Sequence, residues 1–211
     1  MCIRDSSRAA EPALAKALLA RAAHLRELAR HPEAVAAAEE AVTLTRAEAD
    51  RPQALAVALI ALAGELTAAG RPADAMEAAR EALAITGVRP DPLLAHLLSR
   101  LATDLGRAGH HDDALIPSER AVTMWRALPR SGDEVALGQV LGEHAGLLQA
   151  AGRWADAIEF SAEAVAYWDG RAGQEQERLA AALTDYAIRL RRVGRDEEAL
   201  AAASEAESLR G

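Results

Sequence analysis

The sequence of 211 residues carries a formal net charge of −8, and 51% of its residues are hydrophobic although only 3% are aromatic. This acidic balance argues against nucleic-acid binding, which usually needs a basic patch or stripe, and no apolar run approaches the ~18 residues of a membrane span. The single cysteine, Cys2, excludes disulfides and cysteine-based zinc sites within one chain. We therefore expect a cytoplasmic protein that contacts no membrane.

The chain begins with a polar segment, residues 1–7, that resembles nothing downstream. We interpret it as a non-native or disordered leader, followed by a repeat array over residues 8–211. The last repeat ends at Gly211, and no polar capping segment follows it. Because repeat arrays normally end in such a cap, we expect the sequence to be a fragment of a longer protein.

Five helical hairpins are predicted in chain order, at residues 10–48, 51–88, 91–129, 133–170 and 174–210. The evidence is an alanine that returns at intervals of 41, 39, 43 and 42 residues. A period in this range is typical of stacked repeat arrays. The recurring alanines are Ala34, Ala75, Ala114, Ala157 and Ala199.

Three more positions, counted from that alanine, define the first helix of each hairpin. Leucine lies sixteen and nine residues before it, and alanine lies twelve before it, in all five copies. Steps of four and three place these side chains on one face of a helix. The alanines twelve residues before the recurring one are Ala22, Ala63, Ala102, Ala145 and Ala187.

The junction between the two helices is also marked. A glycine ends the first helix in four copies, since glycine accepts the left-handed conformation of a C-cap. Proline or acidic residues then begin the second helix. Small alanines on both helices allow a close approach. The sequence predicts an all-α fold, an α-solenoid of about five helix-turn-helix repeats that form a right-handed superhelix.

This pattern resembles the tetratricopeptide repeat (TPR) over residues 10–210. The unit here is about 42 residues long, whereas the usual length in that family is 34, and this is similar to the kinesin-light-chain-like subclass found in high-GC bacteria. The resemblance implies a surface of first helices that binds an extended peptide or a partner helix. The Lys, Asn and Arg clamp by which some members hold a peptide C-terminus has no match at the corresponding positions.

The resemblance also implies which side chains line that surface. They lie on the first helices, at positions that differ from one copy to the next, so we expect them to carry specificity. The candidate partner-binding residues are Arg26, His96, Ser99, Thr103, Gln139, Gly142, Gly146, Gln149 and Arg191.

Two local features have alternative interpretations. Gly138, Gly142 and Gly146 are spaced four apart on one predicted helix, and each costs about 1 kcal/mol relative to alanine. They indicate either close packing against a neighbouring helix or a smooth groove for a partner backbone. The second feature is the basic cluster of Arg189, Arg191, Arg192 and Arg195, which is either a solvated helix end or a site for carboxylate or phosphate.

No catalytic, cofactor or metal site is predicted. His110, His111, Asp112 and Asp113 have metal-ligand chemistry but occupy a helix-helix turn, and no phosphate-binding or nucleophile motif is present. The first functional hypothesis is a protein-protein interaction scaffold that binds a protein or peptide. The alternative is a sensor or autoinhibitory arm of a longer signalling protein, whose partners are other domains of that chain, such as a nucleotide-dependent regulator or a caspase-like peptidase.

Overall fold

The computed structural model describes residues 3–48, 50–86, 90–128 and 134–211. Within these ranges the chain forms ten α-helices and no strand, as the sequence predicted. None of these helices is long and apolar enough to cross a membrane. The helices are α1 Ile3–Glu27, α2 His31–Ala47, α3 Pro52–Ala68, α4 Pro72–Thr86, α5 Pro92–Arg107, α6 His111–Ala127, α7 Glu134–Ala150, α8 Trp154–Asp169, α9 Ala172–Arg192 and α10 Asp196–Ser208.

The expected leader falls largely within a helix. Residues 1 and 2 lie outside the described residues, and α1 begins at Ile3. The backbone of residues 3–7 is thus helical and continuous with the first repeat.

The chain divides into two compact units, Met1–Met124 and Trp125–Gly211, with the boundary inside α6. In unit 1, α1 packs on α2 and α3, and α3 packs on α4 and α5. In unit 2, α7 packs on α8, α8 on α9, and α9 on α10. Within each unit, first helices thus pack on their own second helices and on helices of a neighbouring hairpin, as expected of repeats that cannot bury their apolar faces alone.

The recurring alanines lie at these helix crossings. All five alanines of the second helices have no exposed surface, and those of the first helices are between 0% and 6% exposed. A larger side chain at either position would push the helices apart. The next residue is also buried in four copies, and Ile158, for example, packs against Leu190 and Ala199. In the last copy that residue, Leu200, is 63% exposed.

The turns between paired helices share one geometry. Gly70 has a φ of 74°, and the equivalent glycines have φ between 77° and 86°. The residue after the glycine then donates its backbone N–H to the carbonyl of the leucine five residues before it, as from Arg71 to Leu66 at 2.8 Å. In the first copy Ala29 adopts the same conformation, with a φ of 57°, and Arg30 donates to Leu25 at 2.9 Å. Alanine thus occupies a conformation that favours glycine.

Candidate binding groove

A groove lies between the first helices α7 and α9 of unit 2, and it encloses about 420 Å³. Helix α8 provides its floor through Ser161, Ala164 and Trp168. The candidate residues Gln139, Gly142 and Gly146 of α7 line one wall, and Arg178, Asp185 and Arg189 of α9 lie on the other. The fold thus brings three of the nine sequence-predicted residues into one concavity.

The three glycines of α7 have different surroundings. A Cβ on Gly138 would lie 2.5 Å from the ring of Trp168 and 2.6 Å from that of Tyr167, so this glycine is required for packing. A Cβ on Gly142 would meet nothing within 4 Å, and one on Gly146 would meet only Arg189 Nη2, at 3.8 Å. The packing interpretation therefore holds at Gly138, while Gly142 and Gly146 leave open space in the groove.

The four arginines of the basic cluster at the end of α9 also differ in their exposure to solvent. Arg191, Arg192 and Arg195 are exposed, as a solvated helix end requires. Arg189 is only 6% exposed, its Nε has no hydrogen-bond partner, and its guanidinium lies beside Gly146. Burial lowers the pKa of Arg189, and the nearby carboxylate of Asp185 partly opposes this effect.

Two other charged groups of the groove, Arg178 and Glu143, have partners within the unit. Arg178 Nε lies 2.8 Å from Glu175 Oε2, and its guanidinium lies 5.4 Å from the centre of the Trp168 ring. Gln139 donates to Glu143 Oε1 at 3.0 Å. Among the described residues that line the groove, Arg189 is the guanidinium for which the structure shows no ion pair.

His144 of α7 is a buried titratable group that does not belong to the groove lining. It is 1% exposed, and its ring meets that of Phe160 edge to face with the centroids 4.4 Å apart. Burial lowers the pKa of His144 to about 4, with smaller contributions from Arg153 and Arg126. The histidine is therefore neutral at physiological pH and serves as part of the core.

Arg26 lies in unit 1 and is already paired there. Its Nε is 3.9 Å from Glu65 Oε2, and its Nη1 is 3.5 Å from Asp104 Oδ2. Glu65 is 2% exposed, and burial raises its pKa, opposed by Arg26 and Arg100. A partner that used Arg26 would have to compete with these two carboxylates.

The three candidate residues of α5 also lie in unit 1. His96 is exposed, whereas Ser99 and Thr103 are half-buried. The Ser99 hydroxyl donates to the Ala95 carbonyl at 3.0 Å, and the Thr103 hydroxyl donates to the Ser99 carbonyl at 3.1 Å. Both hydroxyls thus bond to their own helix, which leaves their oxygens available only as acceptors.

The last two candidate residues lie apart from the α7–α9 groove. Gln149 is half-buried near the end of α7 and does not belong to the groove lining. Arg191 borders a second cavity of unit 2, of about 550 Å³, together with Trp154, Ile188 and Arg210. The predicted set is therefore distributed over several surfaces.

Comparisons with known proteins were made by sequence and by structure. No family model and no curated protein matches the sequence. Solved structures do match: the kinesin-light-chain-type protein of Podosopora anserina with nearly identical TPR-like repeats has a TM-score of 0.73 at 19% identity, over 94% of this chain and 96% of that one. The fold is a TPR-like α-solenoid.

Two further TPR-like structures support the same conclusion. BtubC (BKLC) from P. vanneervenii matches with a TM-score of 0.70 at 18% identity, over 95% of this chain and 81% of that one. YrrB, a TPR protein with an unusual peptide-binding site, matches with a TM-score of 0.56 at 17% identity, over 91% and 84%. Identities this low establish the TPR-like fold alone.

Sequence reasoning named Arg189 in a basic cluster, but it did not identify Arg189 and Glu65 as buried or Asp104 as half-buried in this TPR-like array. All three residues lie ten residues before the recurring alanine. That position is about 200° around the helix from the alanine stripe at twelve residues before, so it looks solvated on an isolated hairpin. Only the variation of charge at one repeat position, from Glu65 to Arg189, could have identified these residues as special.

Proposed function

We propose that this protein is a non-enzymatic interaction scaffold, and that the groove between α7 and α9 binds a peptide or a partner helix. The observation that carries the proposal is the open space over Gly142 and Gly146, in a concavity of about 420 Å³. A helix that lacks side chains at these points lets a partner backbone approach closely. The peptide-binding site of YrrB, a protein of similar fold, supports this mode of binding.

Other parts of the proposal follow from the sequence. The unit of about 42 residues supports a place in the kinesin-light-chain-like subclass, and a high-GC bacterial source and a cytoplasmic location stay predictions. The role as an arm of a longer signalling protein, with other domains of the same chain as partners, also stays a prediction.

The experiment is a selection of random 12-residue synthetic peptides on the purified chain, followed by affinity measurement. Gly142→Leu places an apolar side chain in the groove, where nothing lies within 4 Å of the Cβ position. We expect it to weaken binding of the selected peptides by at least about tenfold, which corresponds to about 1.4 kcal/mol.

Gly173→Leu is the matched control. Gly173 also has nothing within 4 Å of its Cβ position, but it lies outside the groove, so this substitution should leave the affinity within about twofold. Failure to select any peptide, or equal binding by the two variants, would contradict the proposal.

A further inference from the structure

Arg189 is a buried cation in the groove with no counter-ion in direct contact. It is 6% exposed, its Nε has no hydrogen-bond partner, and no ion pair is present for it within the described part of the chain. A guanidinium carries five donors and is stabilised inside a protein when an acceptor anion pairs with it. The carboxylate of Asp185, four residues earlier on the same helix, is exposed and makes no ion pair with it.

The space beside this guanidinium is accessible from the groove. Arg189 Nη2 lies 3.8 Å from the Cβ position of Gly146, and Gly142, one turn earlier, faces open space. A side chain at Gly146 would contact the guanidinium directly. The glycines of α7 and the guanidinium of Arg189 on α9 thus face each other across one concavity.

The burial of Arg189 determines which kind of anion can reach it. A carboxylate on a side chain has a methylene stem that can pack against Ala164 and Ala181, two apolar residues of the groove lining, while the partner backbone stays above the glycines. A chain terminus would have to bring its backbone down into the same space. A doubly charged phosphate is disfavoured, because Glu143 and Asp185 also line the groove and repel a second negative charge.

We propose that the α7–α9 groove accepts an aspartate or glutamate side chain from a partner segment, whose carboxylate pairs with the guanidinium of Arg189 beside Gly146. This inference rests on the proposed function and gives the chemical class of the groove's partner. Planar bidentate pairing is the geometry that arginine offers a carboxylate. The ion pair between Arg189 and this carboxylate then provides specificity. Gly142 and Gly146 leave space for the partner backbone that carries the acidic side chain.

The test uses the full chain and the 12-residue peptide library, prepared with amidated C-termini so that every carboxylate is on a side chain. We expect one peptide position to be enriched in Asp or Glu among the selected sequences. Replacement of that acid by its amide should weaken binding to the wild-type chain by at least about tenfold, because it leaves a buried charge unpaired.

Variants of the arginine locate the effect. Arg189→Met keeps an unbranched flexible stem and removes the charge, and in this variant the acid-to-amide difference should fall below about twofold. Arg189→Lys keeps the charge without the planar fork and should give an intermediate difference, which also tests the proposal if the methionine variant does not fold. Arg192→Met removes an exposed arginine of the same helix and should leave the difference at its wild-type size.

The outcomes separate this inference from the proposed function. If no peptide is selected, or if Gly142→Leu does not weaken binding, both are overturned. If binding depends on Gly142 but shows no preference for acids, or if the preference persists in Arg189→Met, this inference alone is overturned. Selection from a second library that succeeds only with free C-termini would assign the anion to a chain terminus and would likewise overturn it.

Discussion

At the residue scale, Ala29 replaces the glycine that the other four turns have at the residue with positive φ. Four copies place glycine at the residue with positive φ, and the first copy places an alanine there with a φ of 57°. The hydrogen bond from Arg30 to Leu25 still forms at 2.9 Å, as in the other turns. The Cβ of an L-residue crowds its own backbone in the left-handed region, so the first turn retains strain that the others lack.

Ala29→Gly should therefore raise the free energy of unfolding by about 1 kcal/mol, because relief of strain exceeds the extra entropy of glycine in the unfolded chain. Gly70→Ala is the matched reverse substitution. A Cβ at Gly70 would meet nothing within 4 Å, so its cost of about 1 kcal/mol comes from the backbone alone. Urea unfolding followed by circular dichroism measures both, and a loss of stability in Ala29→Gly would contradict the argument.

At the scale of the elements, charged side chains link first helices of successive hairpins. Arg26 of α1 contacts Glu65 of α3 at 3.9 Å and Asp104 of α5 at 3.5 Å. Because Glu65 is 2% exposed, its carboxylate depends on nearby arginines for compensation. These ion pairs therefore join α1, α3 and α5, in addition to the packing of their alanine faces.

Arg26→Met should lower the free energy of unfolding by about 2 kcal/mol, because it removes a counter-ion from a buried carboxylate. Addition of Glu65→Gln to this variant should recover most of the loss, since the amide leaves no uncompensated charge. The coupling is measured by a double-mutant cycle in urea.

The control for this cycle is Arg30→Met, which breaks the exposed pair with Glu33 at the start of α2. An exposed ion pair is screened by water and contributes little, so this variant should unfold close to the wild-type midpoint. Additive effects of Arg26→Met and Glu65→Gln would show that the two groups do not depend on each other.

At the scale of the whole molecule, the two units can be followed separately because tryptophan occurs in only one of them. All three tryptophans, at positions 125, 154 and 168, belong to the unit Trp125–Gly211. In a repeat array stability is approximately a sum of repeat and nearest-neighbour terms. Tryptophan fluorescence therefore follows one unit, whereas circular dichroism follows helices in both.

Ala63→Leu and Ala145→Leu test this difference at equivalent repeat positions. Both alanines have no exposed surface, and a leucine there should cost about 1–3 kcal/mol through overpacking. We expect Ala63→Leu, in unit 1, to shift the circular-dichroism transition more than the fluorescence transition. Ala145→Leu, in unit 2, should shift the fluorescence transition at least as much as the circular-dichroism transition. Coincident transitions in both variants would mean that the chain unfolds as one cooperative unit.

The helices and their order could be predicted from the sequence because their causes are local. The Leu-Ala-Leu stripe, the turn glycines and the prolines at helix starts act within a few residues of the chain. The recurrence of Ala34 and its equivalents also predicted close helix crossings, since only small residues permit them. These features determine an all-α array of helical hairpins without reference to any contact distant in sequence.

The groove and its charge were decided by the tertiary structure. Gly138 and Gly142 lie one turn apart on α7, yet one is closed by Trp168 and the other is open, because α8 reaches only the first. Arg189 and Arg191 look alike in the sequence, but packing against neighbouring helices buries one and leaves the other in solvent. Local patterns determine where a helix forms, while the environment of each side chain depends on neighbours about forty residues away.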